Sequence, residues 1–95
     1  MKNVLKELYE TIEDRKTNRV EESYTNYLFD KGIDKILKKV GEETAEVIIA
    51  AKNDNKDELV YEISDLVYHV LVLMVNNNVI LEDVNTELIK RRDVK

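Results

Sequence analysis

Apolar side chains recur every three or four positions along most of this chain, which is the spacing of one face of an α-helix. The pattern predicts a first helix from about Asn3 to Lys16. After a polar connection, Ser23 is placed to cap a short helix that runs toward Asp30. Gly32 is placed to end that short helix, because glycine tolerates the left-handed backbone common at helix C-termini.

Two longer helices follow, and each carries two neighbouring stripes of side chains. They are predicted from Asp34 to about Lys52 and from Lys56 to about Asn76. On each helix an apolar stripe is expected to face the core, with a stripe rich in acids beside it. The apolar stripes are Ile36, Val40, Thr44, Val47 and Ala51 on one helix and Leu59, Ile63, Leu66, Val70 and Leu73 on the other. Gly41, inside the first of these helices, is expected to allow close packing or approach of a substrate.

A last helix is predicted from Ile80 to about Arg92. With four main helices, two glycines and no proline, residues 1–95 are predicted to form a single all-α, bundle-like domain. Residues 66–75 are apolar on nearly all sides, and a domain of this size buries only a modest core. We therefore expect a homodimer, or a higher homo-oligomer, that covers this segment, with Tyr68 in the core or the interface.

The composition narrows the classes of function. A net charge of −5 and the lack of a basic tail argue against nucleic-acid or membrane binding. The chain contains no cysteine, which excludes disulfides and thiolate chemistry. The first residues lack the apolar stretch of a signal peptide, so a cytoplasmic location is expected.

Two pairs of acids are the main chemical feature. Glu43-x-x-Glu46 and Glu62-x-x-Asp65 flank the turn-like residues 53–55. If the chain folds there as a helical hairpin, Glu46 and Glu62 both lie about 12 Å from the turn at the rise of an α-helix. The two pairs then reach the same height on neighbouring helices. Four converging acids need protons or a cation, and Mg²⁺, with Mn²⁺ as an alternative, is the expected ion.

Other interpretations compete with the metal site. Acids three residues apart also occur on ordinary hydrated helix surfaces, and this chain has 20 acids. A non-catalytic helical dimerisation module is therefore an alternative. A ferritin-like di-iron site is disfavoured, because its Glu-x-x-His motif needs a histidine where this chain has Asp65. The matched heights and the neighbouring apolar stripes favour the metal site.

Several short blocks, taken in order, resemble a known family. Glu42-Glu43-x-x-Glu46 followed by Glu62-x-x-Asp65 is similar to the signature of the MazG-like all-α nucleotide pyrophosphohydrolases. The blocks at 23–25, 32–43, 50–53 and 65–69 narrow the resemblance to the phosphoribosyl-ATP pyrophosphatase family, over residues 5–92.

That resemblance implies hydrolysis of phosphoribosyl-ATP to phosphoribosyl-AMP and pyrophosphate, the second step of histidine biosynthesis. A cyclohydrolase, often fused to this domain in the family, is then expected as a separate chain. A house-cleaning hydrolase of noncanonical nucleoside triphosphates is the alternative within the superfamily.

The resemblance also implies a role for each candidate residue. Magnesium would be held by Glu43, Glu46, Glu62 and Asp65. A water molecule would attack the phosphorus, with Glu42 as the candidate base. The residues expected to bind the substrate are Arg15, Ser23, Tyr24, Thr25, Lys38, Lys39, Lys52 and His69. For His69, substrate contact and orientation of Asp65 both remain open.

Overall fold

A computed structural model describes residues 3–94, and the regular structure within that range is entirely helical. The helices are α1 (Val4–Thr17), α2 (Tyr24–Lys31), α3 (Ile33–Lys52), α4 (Lys56–Asn76) and α5 (Leu81–Val94). The all-α prediction is confirmed, and each helix boundary lies within two residues of its predicted position. None of the helices over residues 3–94 is both long and apolar enough to cross a membrane.

Short polar side chains begin three of the helices. Asn3, Ser23 and Asn55 each accept a hydrogen bond from the backbone N–H three residues later, at 3.1, 3.2 and 3.1 Å. Each bond satisfies one of the N–H groups that a helix start leaves without an intrahelical partner. Gly32 ends α2 with a φ of 88°, as predicted, and α3 begins at the next residue.

The hairpin formed by α3 and α4 is the central unit. It turns at residues 53–55, where Asp54 adopts a left-handed φ of 53°. The two helices pack along each other, while α1 and α2 lie against α4 and α2 also contacts α3. The largest fully buried side chains come from all four of these helices: Ile12, Leu28, Ile36 and Val72.

The predicted apolar stripes do not all face the core. On α3, Glu43 and Ala50 from the acid-bearing stripe are buried, whereas Thr44 and Ala51 from the apolar stripe are exposed. On α4, Ile63 is likewise exposed. The stripe prediction was therefore wrong in its rotation about each helix axis. A buried glutamate is tolerated there because Lys39 lies against it and offsets part of its charge.

The apolar segment 66–75 is only partly covered within the chain itself. Leu71, Val72, Met74 and Val75 are buried in the core formed with α1, α2 and α3, whereas positions 66–68, 70 and 73 are only partly buried. A homodimer that covers the remainder of this segment stays a prediction. Large apolar side chains of the hairpin are exposed elsewhere, at Ile33, Leu37, Ile48, Ile49, Val60, Tyr61 and Ile63.

Two features lie outside this core. The described residues of α5 include no buried side chain, and the helix is tied in near its start, where the Tyr9 hydroxyl donates to the Val79 carbonyl at 2.8 Å. Gly41 is exposed, and an added Cβ would meet no atom within 4 Å. Close packing within the chain therefore does not explain Gly41.

Candidate metal and nucleotide site

The tightest group of potential ligands joins the two helices of the hairpin. One side-chain atom each from Glu43, Asp65 and His69 lies within 4.8 Å of the other two. Glu43 comes from α3 and is only 7% exposed, while Asp65 and His69 are one turn apart on α4. The tight turn at 53–55 sets this register, because it brings the middle of α3 opposite the middle of α4.

Glu43 carries an unfavourable charge in this position. Burial raises the pKa of its carboxyl, and the neighbouring Asp65 raises it further. Lys39 acts in the opposite direction, with its Nζ 3.4 Å from Glu43 Oε1. Because the pKa remains raised, this single lysine does not fully compensate the acid, and a further cation would stabilise its ionised form.

The other two predicted ligands belong to the same electrostatic neighbourhood. The pKa of Glu62 is raised first by loss of hydration and then by repulsion from Glu46, Glu43 and Asp65, with a smaller effect from Glu58. Glu62 is half-buried and Glu46 is exposed, so this edge of the hairpin opens to solvent. Glu43, Glu46, Glu62 and Asp65 are hereafter called the four-acid site.

The side chains of the four-acid site fit a hard divalent cation. They offer only carboxylate oxygens, which Mg²⁺ and Mn²⁺ accept. His69 is not available as a ligand in this arrangement, since Nδ1 lies 2.8 Å from the Asp65 carbonyl oxygen and Nε2 lies 2.8 Å from the Tyr24 hydroxyl. The donor set is therefore oxygen-only, as predicted for magnesium rather than for a di-iron centre.

Helix α2 delivers the predicted 23–25 block to this site. The Tyr24 hydroxyl bonds to His69, and the Thr25 hydroxyl bonds to that of Tyr68. Tyr24 is 43% exposed, and its bond to His69 places its hydroxyl beside the ligand group. Burial raises the pKa of this hydroxyl most, and the nearby Lys39 lowers it. Ser23 caps α2. The structure thus brings Tyr24 and Thr25 to the hairpin, and their contact with a substrate stays a prediction.

Lys39 is the predicted phosphate partner that lies within the site. Its Nζ contacts Glu42 at 3.5 Å as well as Glu43. Burial is the largest single influence on the pKa of Lys39 and lowers it, but Tyr24, Glu43 and Glu42 together outweigh burial and raise the pKa. Lys39 therefore stays charged, and Glu42 stands half-exposed at the rim of the site.

The remaining predicted cations lie apart from the acids. Lys38 and Lys52 are exposed on α3, and Arg15 on α1 pairs with its neighbour Asp14 at 3.5 Å. Within residues 3–94, none of the three forms an ion pair with the four-acid site. Their roles toward a substrate stay predictions.

Sequence reasoning missed two residues that shape the site. Tyr68, expected in the core or an interface, bonds to Thr25 and packs edge-on against the His69 ring. Asn26, which is buried, donates to the Arg15 carbonyl at 2.6 Å and accepts from the Val20 N–H at 2.9 Å, so it ties α2 to the end of α1. The position of Asn26 beside the 23–25 block was the only available signal.

Comparisons with known proteins show which family this sequence matches. A family described as phosphoribosyl-ATP pyrophosphohydrolase matches residues 5–92. A protein named phosphoribosyl-ATP pyrophosphatase from Clostridium novyi (strain NT) is 66% identical over 90 residues, which are 95% of this chain and 82% of that protein. The protein of the same name from Clostridium acetobutylicum is 63% identical over the same shares.

A longer relative also matches. The histidine biosynthesis bifunctional protein HisIE of Caldanaerobacter subterraneus subsp. tengcongensis is 65% identical over 88 residues, which are 93% of this chain. The chain spans 43% of the length of that protein.

Proposed function

Because this chain belongs to the phosphoribosyl-ATP pyrophosphohydrolase family, we propose that it hydrolyses phosphoribosyl-ATP to phosphoribosyl-AMP and pyrophosphate in histidine biosynthesis. The observation that supports the chemistry best is the buried Glu43, which faces Asp65 across the hairpin. Among residues 3–94, only Lys39 offsets its charge. Uncompensated acids beside a lysine suit a polyphosphate that arrives with a divalent cation.

In this proposal the four-acid site would hold Mg²⁺, or Mn²⁺ as an alternative. When bound, the cation would offset the charge of the polyphosphate and make the phosphorus more electrophilic. Glu42 accepts a proton from the attacking water, because it stands at the solvent-facing rim of the site next to Lys39. Lys39 bonds to a phosphate oxygen while Glu43 and Glu42 hold its side chain in place.

The rest of the substrate-binding set belongs to the same proposal. Tyr24 and Thr25 line the site from α2, where Ser23 orients the helix start. The exposed Lys38 and Lys52 and the partly buried Arg15 complete the predicted set, together with His69, which is buried and acts through its neighbours. Residues 1–95 act as one domain in the cytoplasm, and a cyclohydrolase on a separate chain takes the product.

We also propose a homodimer, because the structure exposes apolar side chains on the hairpin. The hairpin exposes a group of large apolar side chains, of which Tyr61 is 68% exposed. Exposed apolar groups of this kind on a small domain favour burial against a second copy. The group consists of Ile48, Ile49, Val60, Tyr61 and Ile63.

The direct test incubates the purified protein with phosphoribosyl-ATP and Mg²⁺ and measures pyrophosphate. We expect release that stops when EDTA removes the metal. Glu46→Gln and Asp65→Asn should each lower kcat by at least about a hundredfold, the scale reported for removal of groups that stabilise transition-state charge, with the fold retained by circular dichroism. Glu10→Gln, an exposed glutamate on α1, is the matched control.

Two outcomes would contradict the proposal. Faster hydrolysis of a noncanonical nucleoside triphosphate than of phosphoribosyl-ATP would assign the chain to the house-cleaning class. A folded protein with no activity on either substrate, and with no change in Tm on addition of Mg²⁺ or Mn²⁺, would favour a non-catalytic helical module.

A further inference from the structure

Two adjacent residues of α2 bond to two adjacent residues of α4. Tyr24 bonds to His69 and Thr25 bonds to Tyr68, across 45 and 43 positions of the sequence. The rings reinforce the pairing, since Tyr24 packs edge-on against His69 with 5.6 Å between centroids. His69 is 2% exposed and so has no surface of its own at the site. What His69 does there must therefore pass through Tyr24 or Asp65.

The surroundings of His69 fix which of its nitrogens carries the proton. Nδ1 lies 2.8 Å from the backbone carbonyl oxygen of Asp65 and 3.5 Å from the Asp65 carboxylate. Both of these groups are acceptors, so Nδ1 must be the N–H donor. In a neutral imidazole Nε2 is then an acceptor, and its partner at 2.8 Å is the Tyr24 hydroxyl. It follows that Tyr24 donates its only proton to His69.

We propose that His69 is a positioning residue that holds the Tyr24 proton, so that Tyr24 faces the substrate as a hydrogen-bond acceptor. A phenol in this state presents only lone pairs to the site and cannot donate to a phosphate oxygen. Its partners must then be hydrogen-bond donors, such as a hydroxyl group of the nucleotide. The proposal rests on the proposed function for the identity of that nucleotide.

The arrangement also separates two roles that a tyrosine beside a phosphate site could take. A donating phenol would bind the polyphosphate directly. An accepting phenol instead binds a donor group of the substrate. In the accepting role the phosphate contact falls to Lys39, which Glu42 and Glu43 hold at 3.5 and 3.4 Å.

The first test is spectroscopic and does not depend on activity. The chain has one histidine, so long-range ¹H–¹⁵N correlation spectra of the labelled protein report on His69 alone. We expect a protonated Nδ1 and an unprotonated Nε2 at the pH of the enzyme assay. A protonated Nε2, in either the other tautomer or an imidazolium, would overturn the proposal.

The second test compares two substitutions of His69 in the full chain. Gln places an amide oxygen near the position of Nε2 and can still accept from Tyr24, whereas Asn keeps a donor near Nδ1 and does not reach Tyr24. We expect Tyr24→Phe and His69→Asn each to lower kcat/KM about tenfold, the scale of one lost hydrogen bond. His69→Gln should keep most of the activity, with all assays run well below each variant's Tm.

The double variant distinguishes positioning from general damage to the fold. If His69 acts through Tyr24, Tyr24→Phe combined with His69→Asn loses no more activity than either change alone. Additive losses, or a His69→Gln variant as impaired as His69→Asn, would contradict the proposal. A wild-type protein inactive on phosphoribosyl-ATP would refute the proposed function instead, and the spectra would still report the tautomer.

Discussion

Replacing Glu43 by Gln tests whether the four-acid site is held together at a cost that a cation relieves. Two unit charges 4.8 Å apart, the limit of the Glu43–Asp65 separation, repel by about 3.5 kcal/mol at an effective dielectric of about 20. The Asp65 side chain is 35% exposed, so screening by solvent reduces this repulsion, and Lys39 offsets a further part. We expect a net cost of about 1 kcal/mol at neutral pH.

Glu43→Gln removes this charge while it keeps the size of the side chain and its hydrogen-bonding groups. Without divalent cations, the variant should therefore unfold in urea with a free energy about 1 kcal/mol above that of the wild type, or with a Tm roughly 4–8 °C higher. The control Glu10→Gln, on the exposed face of α1, should leave both quantities unchanged.

The effect of pH follows from the raised pKa of Glu43, which has burial as its first cause and Asp65 as its second. A raised pKa in the folded state means that this group favours folding below its ordinary value of 4.5 and loses that contribution as the pH rises through the folded value. The advantage of Gln should thus be absent near pH 4, roughly the ordinary value, and complete at neutral pH.

Addition of Mg²⁺ should make the wild type more stable than Glu43→Gln. A cation at ten times its Kd stabilises the folded wild type by about 1.4 kcal/mol, and Glu43→Gln should lose most of that gain. The reasoning would be refuted by a variant that is less stable than the wild type without metal. It would equally be refuted by equal responses of the two proteins to Mg²⁺.

Three further predictions concern stability and assembly. Gly41→Ala should raise the free energy of unfolding by about 1 kcal/mol, because position 41 is helical and open. Gly32→Ala should lower this free energy by about 1–2 kcal/mol, because the backbone φ at position 32 is 88°. Urea titration measures both values, and a less stable Gly41→Ala variant would contradict the first prediction. Asn26→Ala should lower the free energy of unfolding by about 2–3 kcal/mol, because it leaves the Val20 N–H and the Arg15 carbonyl without their partner. The control Asn85→Ala, at an exposed position, should leave the free energy of unfolding unchanged. Equal effects of the two substitutions would refute the role of Asn26 in joining α1 to α2. Tyr61→Asp should shift sedimentation toward a monomer, with Val4→Asp, at another exposed apolar position, as the control; an unchanged dimer would exclude this face.

The helices were predictable because their signals are local. A helical spacing of apolar residues, a capping Ser23 and a glycine at position 32 each act within a few residues, and the structure contains all three. The rotation of α3 and α4 about their own axes was harder to predict from the sequence. Two adjacent stripes were both suited to face inward, and Glu43 of the acid-bearing stripe can be buried because Lys39 offsets part of its charge. Sequence hydrophobicity alone assigns such a glutamate to solvent.

The candidate site, too, could be predicted from the sequence only in part. The opposed heights of Glu43 and Asp65 follow from counting residues on either side of the turn, and the structure places their side chains together. The bonds from Tyr24 and Thr25 to His69 and Tyr68 span more than 40 residues of sequence. No local rule specifies such a pairing, because it depends on how α2 lies across the finished hairpin.

Because the turn at 53–55 is short, its length sets the rotation of α4 about its axis and so decides whether the acids of α4 face those of α3. Each residue advances a helix by about 100°, so one residue added to this turn would swing Glu62 and Asp65 a quarter-circle away from Glu43 unless the loop absorbed it. Asp54 in its left-handed conformation and Asn55 as the cap of α4 leave little slack for that. The three-residue length of this turn is therefore a structural requirement of the candidate site, in addition to the identity of its acids.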